Sequence, residues 1–183
     1  PGRVLFQPGV YNIRGSHPVT DIALSIVAAQ VTAEGAMFYV TDSPDYSPTS
    51  GLPDAEDGET VPPPFGLSAV APSVLIQTGI LGTRMSGLED PASPFDGLLI
   101  YQRRTLRRPI VIVSEQLLGG EALAGAIYAK WGQVAFVGHG TYDLRMAVGT
   151  ARFINALQCT FAPTTFFPPA EDVASFELYS LTR

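Results

Sequence analysis

The chain has 183 residues, of which 46 % are hydrophobic and only 15 % charged, against about 25 % charged residues in ordinary soluble domains. This composition excludes a disordered chain, and the 18 glycines and 16 prolines argue against a helical bundle or coiled coil. The net charge of −6 argues against a nucleic-acid-binding protein, because such proteins usually present a basic surface.

The sequence carries the signature of neither a membrane span nor a metal centre. It lacks an apolar run long enough to cross a bilayer, its single Cys159 cannot form an intrachain disulfide, and no Cys/His cluster has zinc-site spacing. The sequence begins at Pro1 without a signal peptide, so we expect an excised or processed part of a longer protein. We predict no cofactor, no metal and no membrane span in this segment.

In chain order, the apolar segments are short and rich in β-branched and aromatic residues, which is typical of strands. These segments are residues 10–13, 22–27, 36–40, 74–76, 98–101, 110–113, 126–128, 134–137, 142–148 and 152–154. Residues 19–31 and residues 114–129 are each long enough to form a helix instead of strands. Val and Ile dominate the first stretch, and glycines interrupt the second, so we predict strand–turn–strand in both.

Three strands share a glycine-led pattern that ends in an apolar residue followed by Tyr39, Tyr101 or Tyr128. Ile127 follows Ile100 by 27 residues, and a division of the 62-residue interval before Ile100 at Leu75 extends the same period. A repeat of this length indicates a solenoid of about six coils. The predicted interior ladder comprises Phe38, Leu75, Ile100, Ile127 and Phe153.

We therefore predict an all-β fold, a single-stranded, right-handed parallel β-helix (β-solenoid), with a jelly roll or β-sandwich as the alternative. The β-helix domain spans residues 1–161 and carries an inserted acidic, proline-rich loop at residues 42–65. Proline removes ladder donors and charge resists burial, so this loop is expected to protrude from the stack. Residues 162–183 form a C-terminal capping segment in this prediction, because an open solenoid end exposes apolar surface.

Residues 8–11, 31–39, 95–103 and 123–129 give the sequence a resemblance to a known group. It resembles the β-helical C-terminal regions of Tad-type (TadE/TadG-like) pilus-assembly proteins, and the similarity covers most of residues 4–161. This resemblance implies an extracellular or cell-envelope location. It also implies a role in a surface assembly, where other subunits or an acidic glycan are the expected partners.

The candidate ligand contacts form a basic cluster in an otherwise acidic chain, namely Arg103, Arg104, Arg107 and Arg108. The cluster falls on a turn between two predicted strands, where guanidinium groups suit a phosphate, an acidic glycan or the acidic surface of a neighbouring subunit. The alternative is a charged turn that keeps the solenoid soluble.

Two further candidates are weaker. Calcium ligation by Asp54, Glu56, Asp57 and Glu59 lacks the spacing of an EF-hand, so a solvated acidic loop is the favoured interpretation. The Gly138-His139-Gly140 sequence resembles the His motif of pectin-hydrolysing β-helix enzymes, but the paired aspartates of such sites are missing from the sequence. A turn with an exposed His is favoured there.

These observations predict a non-enzymatic structural or adhesive module of a bacterial cell-surface or pilus-associated protein. Two alternatives stay open at this point. A carbohydrate-active β-helix enzyme would place acidic side chains beside His139, and a phage or viral coat protein would have two packed antiparallel sheets.

Overall fold

The structure is a computed structural model that describes residues 2–27, 29–41, 71–78, 82–104, 106–115, 123–154 and 159–162. These residues form strands and no helix, so the predicted all-β class is confirmed. The strands are β1 (Gly2–Leu5), β2 (Gly9–Arg14), β3 (Leu24–Ile26), β4 (Ala29–Ala33), β5 (Ala36–Thr41), β6 (Val74–Thr78), β7 (Arg84–Ser86), β8 (Leu98–Gln102), β9 (Ile110–Glu115), β10 (Leu123–Ile154) and β11 (Cys159–Phe161).

The described strands form one curled parallel sheet with the shape of a half-barrel. A first ladder joins β1, β4, β7 and β10; a second joins β2, β5, β8 and β10; a third joins β3, β6, β9 and β10. Successive strands therefore enter the three ladders in turn, three times over, before β10 runs through all of them. The antiparallel pairs of the jelly-roll alternative do not occur among the strand pairings of the described ranges.

The long strand β10 curves back on itself. The part of β10 around Phe153 lies against the part around Phe136, and the two rings stack at a centroid distance of 5.6 Å. A Cβ atom on Gly149 would lie 2.9 Å from the carbonyl oxygen of Lys130, which shows how closely the two parts approach. Beyond this bend, β11 continues the parallel pairing along residues 140–142 of β10.

The core consists of columns of inward-facing side chains that repeat from strand to strand. Strand alternation turns every second residue inward, so in-register parallel pairing places like residues above one another. In the second ladder Tyr11, Phe38, Ile100 and Ile127 are successive partners, and in the third ladder Ile26, Ile76, Ile112 and Phe136 are. Burial of one such aliphatic or aromatic side chain contributes roughly 1.5–3 kcal/mol.

The predicted interior ladder was right for Phe38, Ile100 and Ile127 and wrong for Leu75 and Phe153. Phe38 pairs directly with Ile100, so the 62-residue interval is one step of the ladder and not two. Leu75 belongs to the third ladder, where its side chain is only partly buried, and Phe153 is 52 % exposed. The extra length lies in a link between strands, and a link adds residues without adding a pass through the ladders.

The predicted insertion at residues 42–65 falls within this link. Residues 42–73 connect β5 to β6, whereas residues 103–109 suffice for the equivalent connection from β8 to β9. The predicted loop at residues 42–65 and the predicted cap at residues 162–183 lie outside the described residues, apart from Ala162. Every predicted strand segment lies in or overlaps an observed strand, but β1, β7 and β11 were missed because their apolar runs are very short.

The observed register predicts different losses of stability when Ile100 and Leu75 are replaced by alanine. Ile100→Ala removes a fully buried side chain and is expected to lower the free energy of unfolding by about 2–5 kcal/mol, measured by chemical denaturation. Leu75→Ala, at a partly exposed position, is the matched control and is expected to cost about 1 kcal/mol. Equal losses for the two variants would contradict the observed register.

Candidate functional site

The arginine cluster lies on the link between β8 and β9, and we name residues 103–109 the arginine corner. The Arg103 N–H donates to the carbonyl of Val40 at 2.9 Å, which fixes the start of the corner to the preceding pass of the chain. The Leu106 N–H donates to the Arg103 carbonyl at 2.9 Å and closes a tight turn. These two bonds give the corner a fixed backbone conformation. As the sequence predicted, it is a turn between two strands.

Two of the four arginines serve the structure. Arg103 is only 7 % exposed. The Arg108 guanidinium donates from Nε to the Ala71 carbonyl at 3.1 Å and from Nη2 to the Pro72 carbonyl at 3.1 Å. Its Nη1 also forms an ion pair with Asp21 at 3.3 Å, so Arg108 joins three successive links at one corner of the fold.

Buried polar side chains support the corner from inside. The Ser73 hydroxyl donates to Gln102 Oε1 at 2.8 Å, and Gln102 Nε2 donates to the carbonyls of Leu106 at 2.7 Å and Arg108 at 2.9 Å. Ser73 and Gln102 are both almost fully buried, so these bonds satisfy groups that water cannot reach. Sequence reasoning missed both residues, although a glutamine at an inward strand position next to Tyr101 was a usable signal.

Arg104 is positioned by a stack of tyrosines on the outer face of the second ladder. Tyr39, Tyr101 and Tyr128 are successive ladder partners, and their rings stack at 5.1 and 4.7 Å. The Nε–H of Arg104 donates to the Tyr128 hydroxyl at 3.0 Å. The repeated glycine-led pattern in the sequence ends at these same tyrosines, and the structure shows why: each repeat supplies one ring of the stack.

Two of the three stacked tyrosines, Tyr39 and Tyr101, do not present a free ring face. A sugar-binding platform offers exposed ring faces, whereas Tyr101 lies between two other rings and Tyr39 is 9 % exposed. Phe95 packs edge-on against Tyr101 at 5.8 Å and covers the stack further. The stack therefore fixes the place of Arg104 beside the corner.

Arg107 differs from the other three arginines. Its side chain is partly exposed, and it makes no hydrogen bond or ion pair within the described part of the chain. The predicted four-arginine patch thus contains one buried arginine, Arg103, and three that are partly exposed. Of these three, Arg108 is bonded to the preceding link and Arg104 to Tyr128, so Arg107 is the one without a bond to a described residue. An anion at this corner would meet one oriented guanidinium and one adaptable guanidinium.

His139 lies within β10 and not on a turn, where it is the ladder partner of Glu115 and is partly buried. Gly138 has a φ of 91°, and a Cβ atom there would clash with the Ser114 carbonyl oxygen. A Cβ atom on Gly140 would lie 2.8 Å from the Ser114 hydroxyl. The close packing of β10 against β9 therefore explains the glycines on either side of His139. Asp143, the nearest acidic residue in the sequence, is 5 % exposed.

The structure shows no candidate metal centre in the ranges that it describes. Within them, three or more His, Cys, Asp or Glu side chains do not gather into a potential metal site. The weak calcium candidates Asp54, Glu56, Asp57 and Glu59 lie outside the described residues. No helix that could span a membrane occurs in the described ranges.

A buried hydroxyl lies close to the His139 region. Tyr142 is fully buried, and within the described part of the chain its hydroxyl makes no hydrogen bond of normal geometry. Burial raises the pKa of Tyr142, while the neighbouring Ser114 hydroxyl acts in the opposite direction. Burial also raises the pKa of Cys159, which makes its thiol a weak nucleophile at neutral pH.

Comparison with known proteins gives no further assignment. No protein-family model, no curated protein and no solved structure matches this chain. The resemblance to Tad-type pilus-assembly proteins stays a prediction from sequence motifs, and functional inference rests on the arginine corner.

Replacement of Gly138 tests the structural explanation of the His139 motif. Gly138→Ala combines a positive φ with a backbone clash and is expected to lower the free energy of unfolding by about 2–4 kcal/mol. Gly2→Ala is the control, because no heavy atom lies within 4 Å of its added Cβ. Retention of full stability by Gly138→Ala in chemical denaturation would contradict the close approach of β9 and β10.

Replacement of Tyr142 tests the buried hydroxyl. Tyr142→Phe is expected to change stability at neutral pH by less than about 1 kcal/mol, because no hydrogen bond is lost. Above about pH 10 an unfolded tyrosine ionises while buried Tyr142 keeps its proton, so stability falls as pH rises. Tyr142→Phe should flatten that fall in pH-dependent denaturation. An unchanged alkaline slope would contradict the raised pKa, and Tyr128→Phe is the control because it removes a bonded hydroxyl.

Proposed function

We propose that this chain is a right-handed parallel β-helix and acts as a non-enzymatic structural or adhesive module of the bacterial cell surface. The order of its strands supports the β-helix, because a chain that enters three parallel ladders in turn advances by one layer per pass. The stacked core columns support a rigid role, since buried side chains of all three ladders form one continuous cluster in the described ranges. An extracellular or cell-envelope location is part of the proposal.

The arginine corner is the proposed binding surface, and the geometry of Arg104 and Arg107 is the observation that carries this proposal. Arg104 is oriented by its bond to Tyr128, and Tyr128 is fixed by the ring stack beneath it. Arg107 extends from the same turn with its side chain partly exposed. Two guanidinium groups on one rigid turn suit a ligand that repeats negative charges, and we propose an acidic polysaccharide.

The four arginines of the turn have two different roles in this proposal. Arg108 and Arg103 hold the turn in place, which lowers the conformational entropy that binding would otherwise cost. The outer two arginines then meet the ligand from a preorganised position. A partner subunit with an acidic surface would use the same two groups, but a flexible polysaccharide needs no further complementary surface around them.

Binding of polygalacturonate, measured by calorimetry, tests this proposal. We expect binding that weakens as salt rises, because exposed charge pairs are screened. Arg107→Ala is expected to weaken binding about fivefold, the effect of roughly 1 kcal/mol from one exposed ion pair. Arg84→Ala, which removes an exposed arginine from β7, is the matched control and is expected to bind like the unmodified protein.

Two outcomes would overturn the proposal in different ways. Equal binding by the Arg107→Ala and Arg84→Ala proteins would remove the arginine corner as the binding surface. Release of reducing sugar from polygalacturonate by the unmodified protein would support the carbohydrate-active enzyme in place of a non-enzymatic module. Neutral dextran, which lacks carboxylates, serves as the ligand control.

A further inference from the structure

The link between β2 and β3 folds into a tight turn, and we name residues 15–22 the His17 turn. The Asp21 N–H donates to the His17 carbonyl at 2.8 Å, and the His17 N–H donates to the Ile22 carbonyl at 3.0 Å. Pro18 follows His17, and its fixed φ suits the first position of such a turn. The turn therefore has a defined backbone conformation, although the His17 side chain is exposed to water.

The imidazole of His17 accepts hydrogen bonds from two backbone donors of the turn. Its Nδ1 atom accepts from the N–H groups of Val19 at 3.3 Å and Thr20 at 3.2 Å. Asn, Asp and Ser are the residues that usually accept such bonds, because their side-chain oxygens are acceptors at neutral pH. The Nδ1 atom of a histidine accepts only while it carries no proton. The geometry therefore requires a neutral imidazole with its proton on Nε2.

The His17 turn is connected to the arginine corner through Asp21. Asp21 has a φ of 57°, a left-handed conformation that is uncommon for residues other than glycine. The Ser16 hydroxyl donates to Asp21 Oδ1, and the same oxygen accepts from Arg108 Nη1 at 3.3 Å. A residue keeps such a conformation when the surrounding structure holds it there. The conformation of the turn therefore determines where Asp21 meets Arg108.

We propose that protonation of His17 opens the His17 turn and weakens the ion pair between Asp21 and Arg108, so that the arginine corner responds to pH. Protonation changes Nδ1 from an acceptor into a donor, and the N–H groups of Val19 and Thr20 then lose their partner. Without these two bonds the turn no longer holds Asp21 in its left-handed conformation. This proposal does not depend on which ligand the arginine corner binds.

The charged side chains around the turn do not favour its protonated form. In the described ranges these are Asp21 and Arg108, which pair with each other, and Arg14, which ends β2 just before the turn. A carboxylate that is paired with a guanidinium offers an imidazolium little net attraction, and Arg14 adds a positive charge. The closed turn is therefore expected at the alkaline end of the range in which histidine titrates, and it weakens as pH falls through that range.

Nuclear magnetic resonance of the isotope-labelled protein tests the proposal between about pH 8 and about pH 5, where histidine titrates. At the alkaline end, the Nδ1 signal of His17 should be that of a nitrogen without a proton. As pH falls, the amide signals of Val19 and Thr20 should shift with the same midpoint as the His17 imidazole. His139, the other of the two histidines in the sequence, is the internal reference, and these two amides should not follow its titration.

His17→Asn separates the hydrogen bonds of the turn from their titration. The Asn side-chain oxygen accepts the same two N–H groups but does not titrate. Exchange of the Arg108 Nε–H with water should be equal in the two proteins at the alkaline end. At the acidic end it should be about fivefold faster in the unmodified protein, the effect of losing one such cap. His139→Gln is the matched control and should behave like the unmodified protein, whereas His17→Ala should show the faster exchange at both ends.

Either of two results would overturn the proposal. A proton on Nδ1 of His17 at the alkaline end would mean that this nitrogen does not accept the bonds of the turn. Equal Arg108 Nε–H exchange in the unmodified and His17→Asn proteins at the acidic end would mean that protonation does not reach the arginine corner. The amide signals of the core strand β9 should be the same in every variant, which confirms that each variant keeps the fold.

Discussion

In-register parallel pairing of successive passes is the constraint on which the rest of this fold depends. Because side chains alternate between the two faces of a strand, a shift of one residue would turn a whole inward column outward. The observed register keeps Phe38, Ile100 and Ile127 inside and the three stacked tyrosines outside. One set of backbone hydrogen bonds thus fixes both the core and the outer support of Arg104.

The links between strands carry most of the variation that this constraint permits. A ladder specifies where a strand lies but not how many residues lead to it, and the entropic cost of closing a link grows slowly with its length. A long link between β5 and β6 and a short link between β8 and β9 therefore serve the same corner. Arg108 and Gln102 hold that corner together, so variable links there leave the ladders intact.

The arginine corner shows how far a sequence can identify a site. Four arginines in six positions were visible as a cluster, and the predicted strands on either side placed them on a turn. Their roles were not visible, because the partners of Arg108 come from links that precede it by more than 30 residues. The repeated tyrosines were equally visible, but only their register in the ladder shows that they stack and position Arg104.

The sequence by itself determined the all-β class, the approximate place of most strands and the 27-residue spacing of Ile100 and Ile127, because these depend on local propensity and on alternation. The tertiary structure alone decided which repeats are neighbours. Leu75 and Phe153 fit the spacing but are not part of the interior ladder of Phe38, Ile100 and Ile127. The reason is that pairing depends on backbone hydrogen bonds between strands and not on distance along the chain. The same non-local pairing decided which arginines are buried.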